Sequence, residues 1–344
     1  MTSKERVYES LRFCKPDRTP RFIWLGAQTK INLMRKFGVS DLELQLRIGN
    51  DVLQTWLSIN GEMERDMPQG SEFTDEWGIV WRRSGLYNAP VFHPLCGMDA
   101  DSIRSYPLPD PLKPERFAYL ERLLREHGGT HFIGADVSGV LFEPACHLRG
   151  MEEMLADLAL GSDEAAVLLD RLAEFCIALS IECIRKGADW IWLGDDLGSQ
   201  QNMLLSPDTW REHIKPRMRH IINSLRREKE GIAIAYHSCG SMYPVVGDLA
   251  EIGIDVLNPI QESARGMSQI RIKKEFGERM TLMCGPDTQQ FLVSATPDEV
   301  RRAVIADVEN LGMNGGYIFA VSHAIQPDTP MENIDALLKT LDSL

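Results

Sequence analysis

The sequence lacks several features that would assign it to a class at once. It has no uninterrupted apolar run close to the roughly 18 residues of a membrane-spanning helix, so no membrane span is expected. It also has no excess of basic residues, because 37 Lys and Arg stand against 50 Asp and Glu, a formal net charge of -13. This balance argues against a nucleic-acid-binding surface, which is normally basic.

A disulfide framework and a targeting segment are not indicated either. The seven cysteines are odd in number and scattered, which is typical of free thiols in a reducing compartment. The start of the chain is polar and amphipathic, unlike a signal peptide. We therefore expect a cytoplasmic protein, in which Cys176 and Cys183 pack within a helical segment.

Short apolar runs alternate with helical segments from about residue 130 onward. Such runs are typical of buried parallel strands, and their alternation with helices predicts an α/β fold. A GxGxxG or GxxxxGKS/T loop, often found in an open doubly wound sheet, is absent. The number of strands and the length of 344 residues favour a (β/α)8 TIM barrel. The predicted strands are 131–135, 190–193, 232–235, 256–260, 280–283 and 317–321, with 21–25 as a candidate first strand.

We expect a single domain over residues 1–344. Its N-terminal elaboration, residues 1–115, includes the first strand, and the main α/β repeats occupy residues 116–344. Trp77 and Trp81 suggest a β-hairpin within the elaboration. Helix starts are predicted at three positions where Ser or Thr directly precedes Pro. The hydroxyl can cap the first turn, and Pro suits the first helical position. These positions are Ser206, Thr296 and Thr329.

Polar and titratable side chains follow one predicted strand after another. In a TIM barrel the strand ends and the loops after them build the active site, so these side chains are expected to converge. Turns also favour Asp, Asn and Ser, which explains some of them without any chemistry. They are Asp136, Asp195, Asp196, His237, Cys239, Asn258, Asp287, Ser322 and His323.

The most specific of these pairs is His237-x-Cys239. Residues i and i+2 of an extended segment point to the same side, so an imidazole and a thiol can hold one cation, most commonly Zn²⁺. His323 is the candidate third ligand and Cys284 its rival, although Cys284 also suits a buried apolar position. Of Asp195 and Asp196 we expect one to face the mouth of the barrel, and we favour Asp195.

Several segments resemble the uroporphyrinogen decarboxylase superfamily, and together they span nearly the whole chain. The resembling segments are 6–20, 194–198, 237–240, 285–289 and 315–333. The resemblance implies a (β/α)8 barrel. True decarboxylases of this superfamily carry an arginine-rich segment after the first strand, whereas residues 24–30 here read WLGAQTK. The aspartate expected in a later Asp-Ile-Leu segment is also missing, since residues 50–55 read NDVLQT.

The HxC motif is instead similar to the zinc-dependent, corrinoid-linked methyltransferases of the same superfamily. His237 and Cys239 match their ligands residue by residue, and their later cysteine falls on His323 here. The resemblance implies a Zn²⁺-dependent methyltransferase that works with a corrinoid protein on an O-, N- or S-methyl small molecule. From their place at a strand end we expect Asp195 or Asp196 to orient or protonate the substrate, with His323 beside them in catalysis. The resemblance allows a monomer or a homodimer.

Two alternatives remain open. One is a decarboxylase of porphyrin biosynthesis, similar to uroporphyrinogen decarboxylase. The other is a barrel without enzymatic activity that binds a corrinoid or a tetrapyrrole.

Overall fold

The computed structural model describes residues 1–57, 63 and 65–344. Seven strands form one sheet in the order β1-β5-β6-β7-β8-β9-β10, and every neighbouring pair is parallel. Numbered along the chain, the strands are β1 (Val52–Trp56), β2 (Glu72–Thr74), β3 (Val80–Ser84), β4 (Tyr87–Phe92), β5 (Phe132–Asp136), β6 (Trp190–Gly194), β7 (Ala233–His237), β8 (Val256–Asn258), β9 (Thr281–Cys284) and β10 (Tyr317–Phe319).

The segment 21–25 lies between the two edges of this sheet and closes it. Arg21 and Leu25 form isolated parallel bridges to the β10 side, and the Phe22 N–H donates to the Phe319 carbonyl (2.9 Å). On the other side the Asp51 N–H donates to the Arg21 carbonyl (2.8 Å). The segment therefore fills an eighth position, which confirms the predicted α/β fold of the TIM-barrel type.

The closing segment is not the regular first strand that the sequence predicted. The side chain of Asn50 explains this difference, because it bonds both backbone groups of Ile23 in place of the backbone of a neighbouring strand. The Ile23 N–H donates to Asn50 Oδ1 (2.7 Å), and Asn50 Nδ2 donates to the Ile23 carbonyl (3.1 Å). The first regular strand is β1, which the sequence analysis did not recognise.

Side chains alternate strictly between the inside of the barrel and the layer under the helices. This follows from the period of two along a strand. The inner cluster contains Phe22, Val52, Phe132, Trp190, Trp192, Ala233, Ala235, Val256, Met283, Ile318 and Ala320. The outer layer contains, from the same strands, Leu53, Ile133, Ile191, Leu193, Ile234, Tyr236, Leu257, Leu282, Cys284, Tyr317 and Phe319. His237, two residues after Ala235, therefore points inward.

Helices surround the sheet, and the one at residues 3–11 packs Val7 into the inner cluster. They are α1 (Ser3–Leu11), α2 (Ala27–Phe37), α3 (Asp41–Arg47), α4 (Ala100–Ser105), α5 (Ala118–His127), α6 (Phe142–Arg149), α7 (Met151–Leu160), α8 (Asp163–Lys186), α9 (Pro207–Thr209), α10 (Lys215–Glu228), α11 (Tyr243–Ile252), α12 (Gln269–Phe276), α13 (Phe291–Ser294), α14 (Pro297–Gly312) and α15 (Met331–Ser343). Trp210–Ile214 adds a π-helical turn before α10, and Pro114–Phe117 a 3-10 turn before α5. Among the residues described, no helix is both long and apolar enough to cross a bilayer.

Two of the three predicted helix caps are confirmed. Ser206 and Thr296 each accept a backbone N–H of their own first helical turn. Thr329 does not cap α15, because that helix begins at Met331 with Pro330 at the N-cap position. Thr329 therefore lies one residue before the N-cap position.

The N-terminal elaboration contains an antiparallel sheet of β2, β3 and β4, which confirms the predicted hairpin. Trp81 on β3 is fully buried and its Nε1–H donates to Asp75 Oδ2 (2.7 Å). Cys176 and Cys183 are buried in α8, as expected. The division of the chain at residue 115 stays a prediction, and two barrel positions, 21–25 and β1, precede it.

Gly194 at the end of β6 leaves the room that the neighbouring strand requires. A Cβ atom at this position would lie 2.5 Å from the His237 carbonyl oxygen and 2.9 Å from His237 Cβ. Contacts this short force the backbone of β6 or β7 to shift. The glycine is therefore needed for the position of His237.

We predict that Gly194→Ala lowers the free energy of unfolding by roughly 1–3 kcal/mol, the usual cost of overpacking. The measurement is urea unfolding followed by circular dichroism. Gly129→Ala is the matched control, because a Cβ there meets nothing within 4 Å, and it should stay within about 0.5 kcal/mol of wild type. Equal stabilities of the two variants would show that the strands tolerate the methyl group.

Candidate metal centre

Three side chains of the types that bind metals meet at the carboxyl ends of the strands. They are His237 at the end of β7, Cys239 two residues later, and His323 in the loop after β10. One ligand atom from each lies within 4.8 Å of the other two. Cys239 Sγ is 3.5 Å from His237 Nε2. The structure thus brings together the three residues that the sequence analysis proposed, while the binding of an ion and its identity stay predictions.

The turn after β7 is held by side chains from two neighbouring loops. The Cys239 N–H donates to Asp196 Oδ1 (2.8 Å), and the Gly240 N–H donates to Gln261 Oε1 (2.8 Å). Gly240 has φ +80°, and a Cβ there would lie 2.2 Å from the Gly198 carbonyl oxygen. Glycine is required for both reasons. The thiol is therefore fixed beside the imidazole by the backbone of its own turn.

Asn258 determines which nitrogen of His237 is free. Its Nδ2 donates to the Met283 carbonyl (3.0 Å), so its Oδ1 faces His237 Nδ1 (2.8 Å). An amide oxygen only accepts, so in the neutral ring Nδ1 carries the proton and Nε2, the nitrogen near Cys239, has the lone pair. Metal-binding histidines commonly have such a partner on the other nitrogen. The arrangement therefore suits His237 as a metal ligand that binds through Nε2.

The protonation states of the other two residues follow from burial. Burial lowers the pKa of His323 to about 4, so the ring is neutral at neutral pH and can act as a ligand. Burial, followed by the nearby charges of Asp196 and Glu143, raises the pKa of Cys239 well above its usual range. Without a cation the thiol keeps its proton. Two nitrogens and one sulfur form a donor set that suits Zn²⁺.

The prediction that Asp195 faces the mouth is wrong, and its neighbour Asp196 takes that place. Asp195 is fully buried, and its carboxylate accepts the backbone N–H groups of Val140, Leu141 and Glu143 at the start of α6 (3.0–3.2 Å). Burial raises the pKa of Asp195 to about 7, against the opposing effect of these N–H groups. Asp196 lines the cavity and its Oδ1 lies 3.8 Å from His237 Nε2. Adjacent residues point to opposite sides, so only one of the pair can reach the site.

The structure places Cys284 away from the candidate ligands. It lies on the outer face of β9, fully buried under the helices, and among the described residues it does not belong to the group around His237. Cys146 is likewise buried, and the ring of the neighbouring His147 lies 5.1 Å from that of Trp81. The geometry therefore favours His323 as the third ligand.

The other strand-end residues support the site or the turns. Asp136 accepts hydrogen bonds from the Ser138 hydroxyl (2.6 Å) and from Gln54 Nε2 (3.2 Å). Ser322 accepts the Thr288 N–H (3.0 Å). Asp287 accepts backbone N–H groups at the start of α13, so it is a turn residue rather than part of the site.

The candidate ligands open into a cavity of about 610 Å³. Three tryptophans that the sequence analysis left without a role line it: Trp24, Trp56 and Trp192. The Trp24 ring lies 4.8 Å from that of His323, and the Trp192 ring 6.0 Å from that of His237. The period of two puts Trp192 on the same side of its strand as Trp190, but a run that is buried on both faces does not show which side is inside. Trp56 belongs to the strand that was not recognised.

The sequence pattern of the uroporphyrinogen decarboxylase (URO-D) family matches residues 85–344. The chain belongs to this family. A uroporphyrinogen decarboxylase of Legionella pneumophila is 25% identical over 275 residues, which cover 76% of this chain and 74% of that protein. That of Coxiella burnetii is 26% identical over 179 residues, which cover 51% of this chain and 46% of that protein.

Solved structures of other proteins share the fold. A methyltransferase from Methanosarcina mazei superposes with a TM-score of 0.73 at 19% identity and covers 100% of this chain and 99% of its own. An endo-1,4-beta-mannanase from Rhizomucor miehei reaches a TM-score of 0.51 at 11% identity, over 96% and 95% of the two chains. Because such different enzymes share the barrel, the URO-D fold alone does not determine the reaction.

We predict that Asn258→Leu removes the preference of His237 for the Nδ1–H tautomer and lowers the free energy of unfolding by about 1–3 kcal/mol, since the Met283 carbonyl loses its donor. Nitrogen-15 NMR of the histidine side chains in metal-free protein measures the tautomer. Asn258→Asp is the control, because a carboxylate still accepts from Nδ1–H. An Nε2–H tautomer in the wild type would contradict the assignment.

Proposed function

We propose that this URO-D family member is a zinc-dependent methyltransferase that works with a corrinoid-carrying protein. The observation that supports this most is the meeting of His237, Cys239 and His323 with their ligand atoms within 4.8 Å. Three protein ligands leave a position for substrate, as in catalytic zinc sites. When bound, Zn²⁺ supplies Lewis acidity to the heteroatom that gains or loses the methyl group.

The remaining residues orient the reaction. Asn258 holds the His237 ring with Nε2 directed toward Cys239, and Asp196 lies beside both. We assign Asp196 to orienting the substrate heteroatom and to moving its proton. Trp24 and Trp192 cover the two imidazole rings and exclude water from that side of the site. A corrinoid carried by its own protein would reach the substrate from the open side of the cavity.

Decarboxylation of a porphyrinogen is the second candidate, since the named sequence relatives carry that activity in their names. Binding several carboxylates requires several cationic side chains, above all arginines. Among the described residues that line the cavity, the cations are Lys30 and Arg65, and Lys30 pairs with Asp41 (3.1 Å). This lining favours a substrate with less negative charge.

We predict that protein purified without added metal contains about one zinc ion per chain. Cys239→Ser should reduce zinc affinity by more than the roughly 10–100-fold that typically follows loss of a supporting partner, because a ligand itself is removed. Inductively coupled plasma mass spectrometry and chelator competition measure both quantities. Cys96→Ser, an exposed thiol outside the group, is the matched control and should behave as wild type.

A wild type almost free of zinc, or a Cys239→Ser variant with unchanged affinity, would reject the metal site. For the reaction itself, we expect methyl transfer between a cobalamin and a methyl compound, followed by the absorbance change of the corrinoid. Turnover of uroporphyrinogen instead would establish the decarboxylase, and ligand binding without turnover of any methyl donor would favour a binding barrel.

A further inference from the structure

Three aromatic rings form a row that leads from the cavity to the candidate ligands. The Trp56 ring lies 4.9 Å from the Trp24 ring at an angle of 32°, and the Trp24 ring lies 4.8 Å from the His323 ring at 31°. Trp24 also contacts the His237 ring (5.9 Å). The π surface of Trp24 is thus largely occupied by its three neighbours. Trp56 is 42% exposed, although it lies at the end of a buried strand and lines the cavity.

An exposed tryptophan in this position offers a flat surface to a ligand. Among the described residues that line the cavity, Trp56 is the most exposed tryptophan, and a flat ring of this kind favours stacking of another planar group. The cavity of about 610 Å³ is also in the range for ligands far larger than methanol or methylamine. The part of the substrate that does not react therefore has room to lie against Trp56.

The chemistry proposed for the site restricts the heteroatom. A Lewis acid needs a lone pair on the atom that carries the methyl group, and a quaternary ammonium group has none. For an ether, the departing group is easier to release when it is a phenolate, since the pKa of a phenol is about 10. An aliphatic alkoxide is roughly as basic as hydroxide, whose conjugate acid water has a pKa of about 15.7.

We propose that the methyl-bearing heteroatom of the substrate is attached to an aromatic ring, as in an aryl methyl ether, and that this ring stacks on Trp56. The inference rests on the proposed methyltransferase function. In the demethylating direction the O–CH₃ bond breaks and its electron pair stays on oxygen, which takes up a proton to give the phenol. Cobalt(I) of the corrinoid supplies the electron pair of the new Co–CH₃ bond and becomes cobalt(III).

The test compares methoxybenzene with methoxycyclohexane, which has the same number of heavy atoms but no aromatic ring. Isothermal titration calorimetry with zinc-loaded protein should show that methoxybenzene binds more tightly. Trp56→Ala should weaken its binding roughly 3–10-fold, the contribution of one aromatic pair, while Trp56→Phe retains most of it. Binding of methoxycyclohexane should be nearly the same in all three proteins.

Equal affinities for the two ethers, or an equal loss of both in Trp56→Ala, would overturn the proposal. Tighter, Trp56-dependent binding of tetramethylammonium would overturn it as well, in favour of a cationic substrate. Zinc content is measured in each protein and should be unchanged by either substitution. A wild type that binds no zinc rejects the proposed function and this inference with it, whereas a zinc-loaded wild type without a preference for the aromatic ether rejects this inference alone.

Discussion

Closure of the parallel sheet by the segment 21–25 determines what lies at its carboxyl edge. β7 and β10 are separated by two strands in the sheet, so His237 and His323 meet only because the strands curve around a common interior. The same closure brings Trp24 between the imidazole of His323 and the ring of Trp56. The site is therefore a property of the complete barrel, and no single loop contains it.

Within the barrel, the site depends on groups that orient the two imidazoles and that keep His323 neutral. Asn258 fixes the proton of His237 on the nitrogen remote from Cys239, and burial keeps His323 uncharged. Asp196 binds the backbone of the Cys239 turn and remains at the cavity wall. A cation that binds here replaces a thiol proton, so metal binding and proton release are linked.

The sequence was sufficient for the fold and for the closeness of His237 and Cys239, because both depend on period and spacing. Buried parallel strands read as short apolar runs, and the motif from His237 to Cys239 places two ligands on one side of a strand end. The sequence was not sufficient for segments that lack a continuous apolar run or that depend on side-chain hydrogen bonds. Asn50 holds the closing segment, and β1 includes Gln54 and Thr55 among its residues.

The choice between Asp195 and Asp196 failed for a related reason. Both follow the same strand, and only the position of α6 shows that the N–H groups at its start require the first carboxylate. The aromatic row was missed because its members come from three separate segments of the chain, one of them unrecognised. Contacts between distant segments depend on packing that no local pattern contains.

Zinc K-edge X-ray absorption of the purified protein tests the central claim most directly. The account predicts one sulfur neighbour at about 2.3 Å and two imidazole nitrogens at about 2.0–2.1 Å, with a light atom in the remaining position. Two sulfur neighbours would mean that a second cysteine replaces His323. A shell of oxygen and nitrogen without sulfur would contradict the proposed centre altogether.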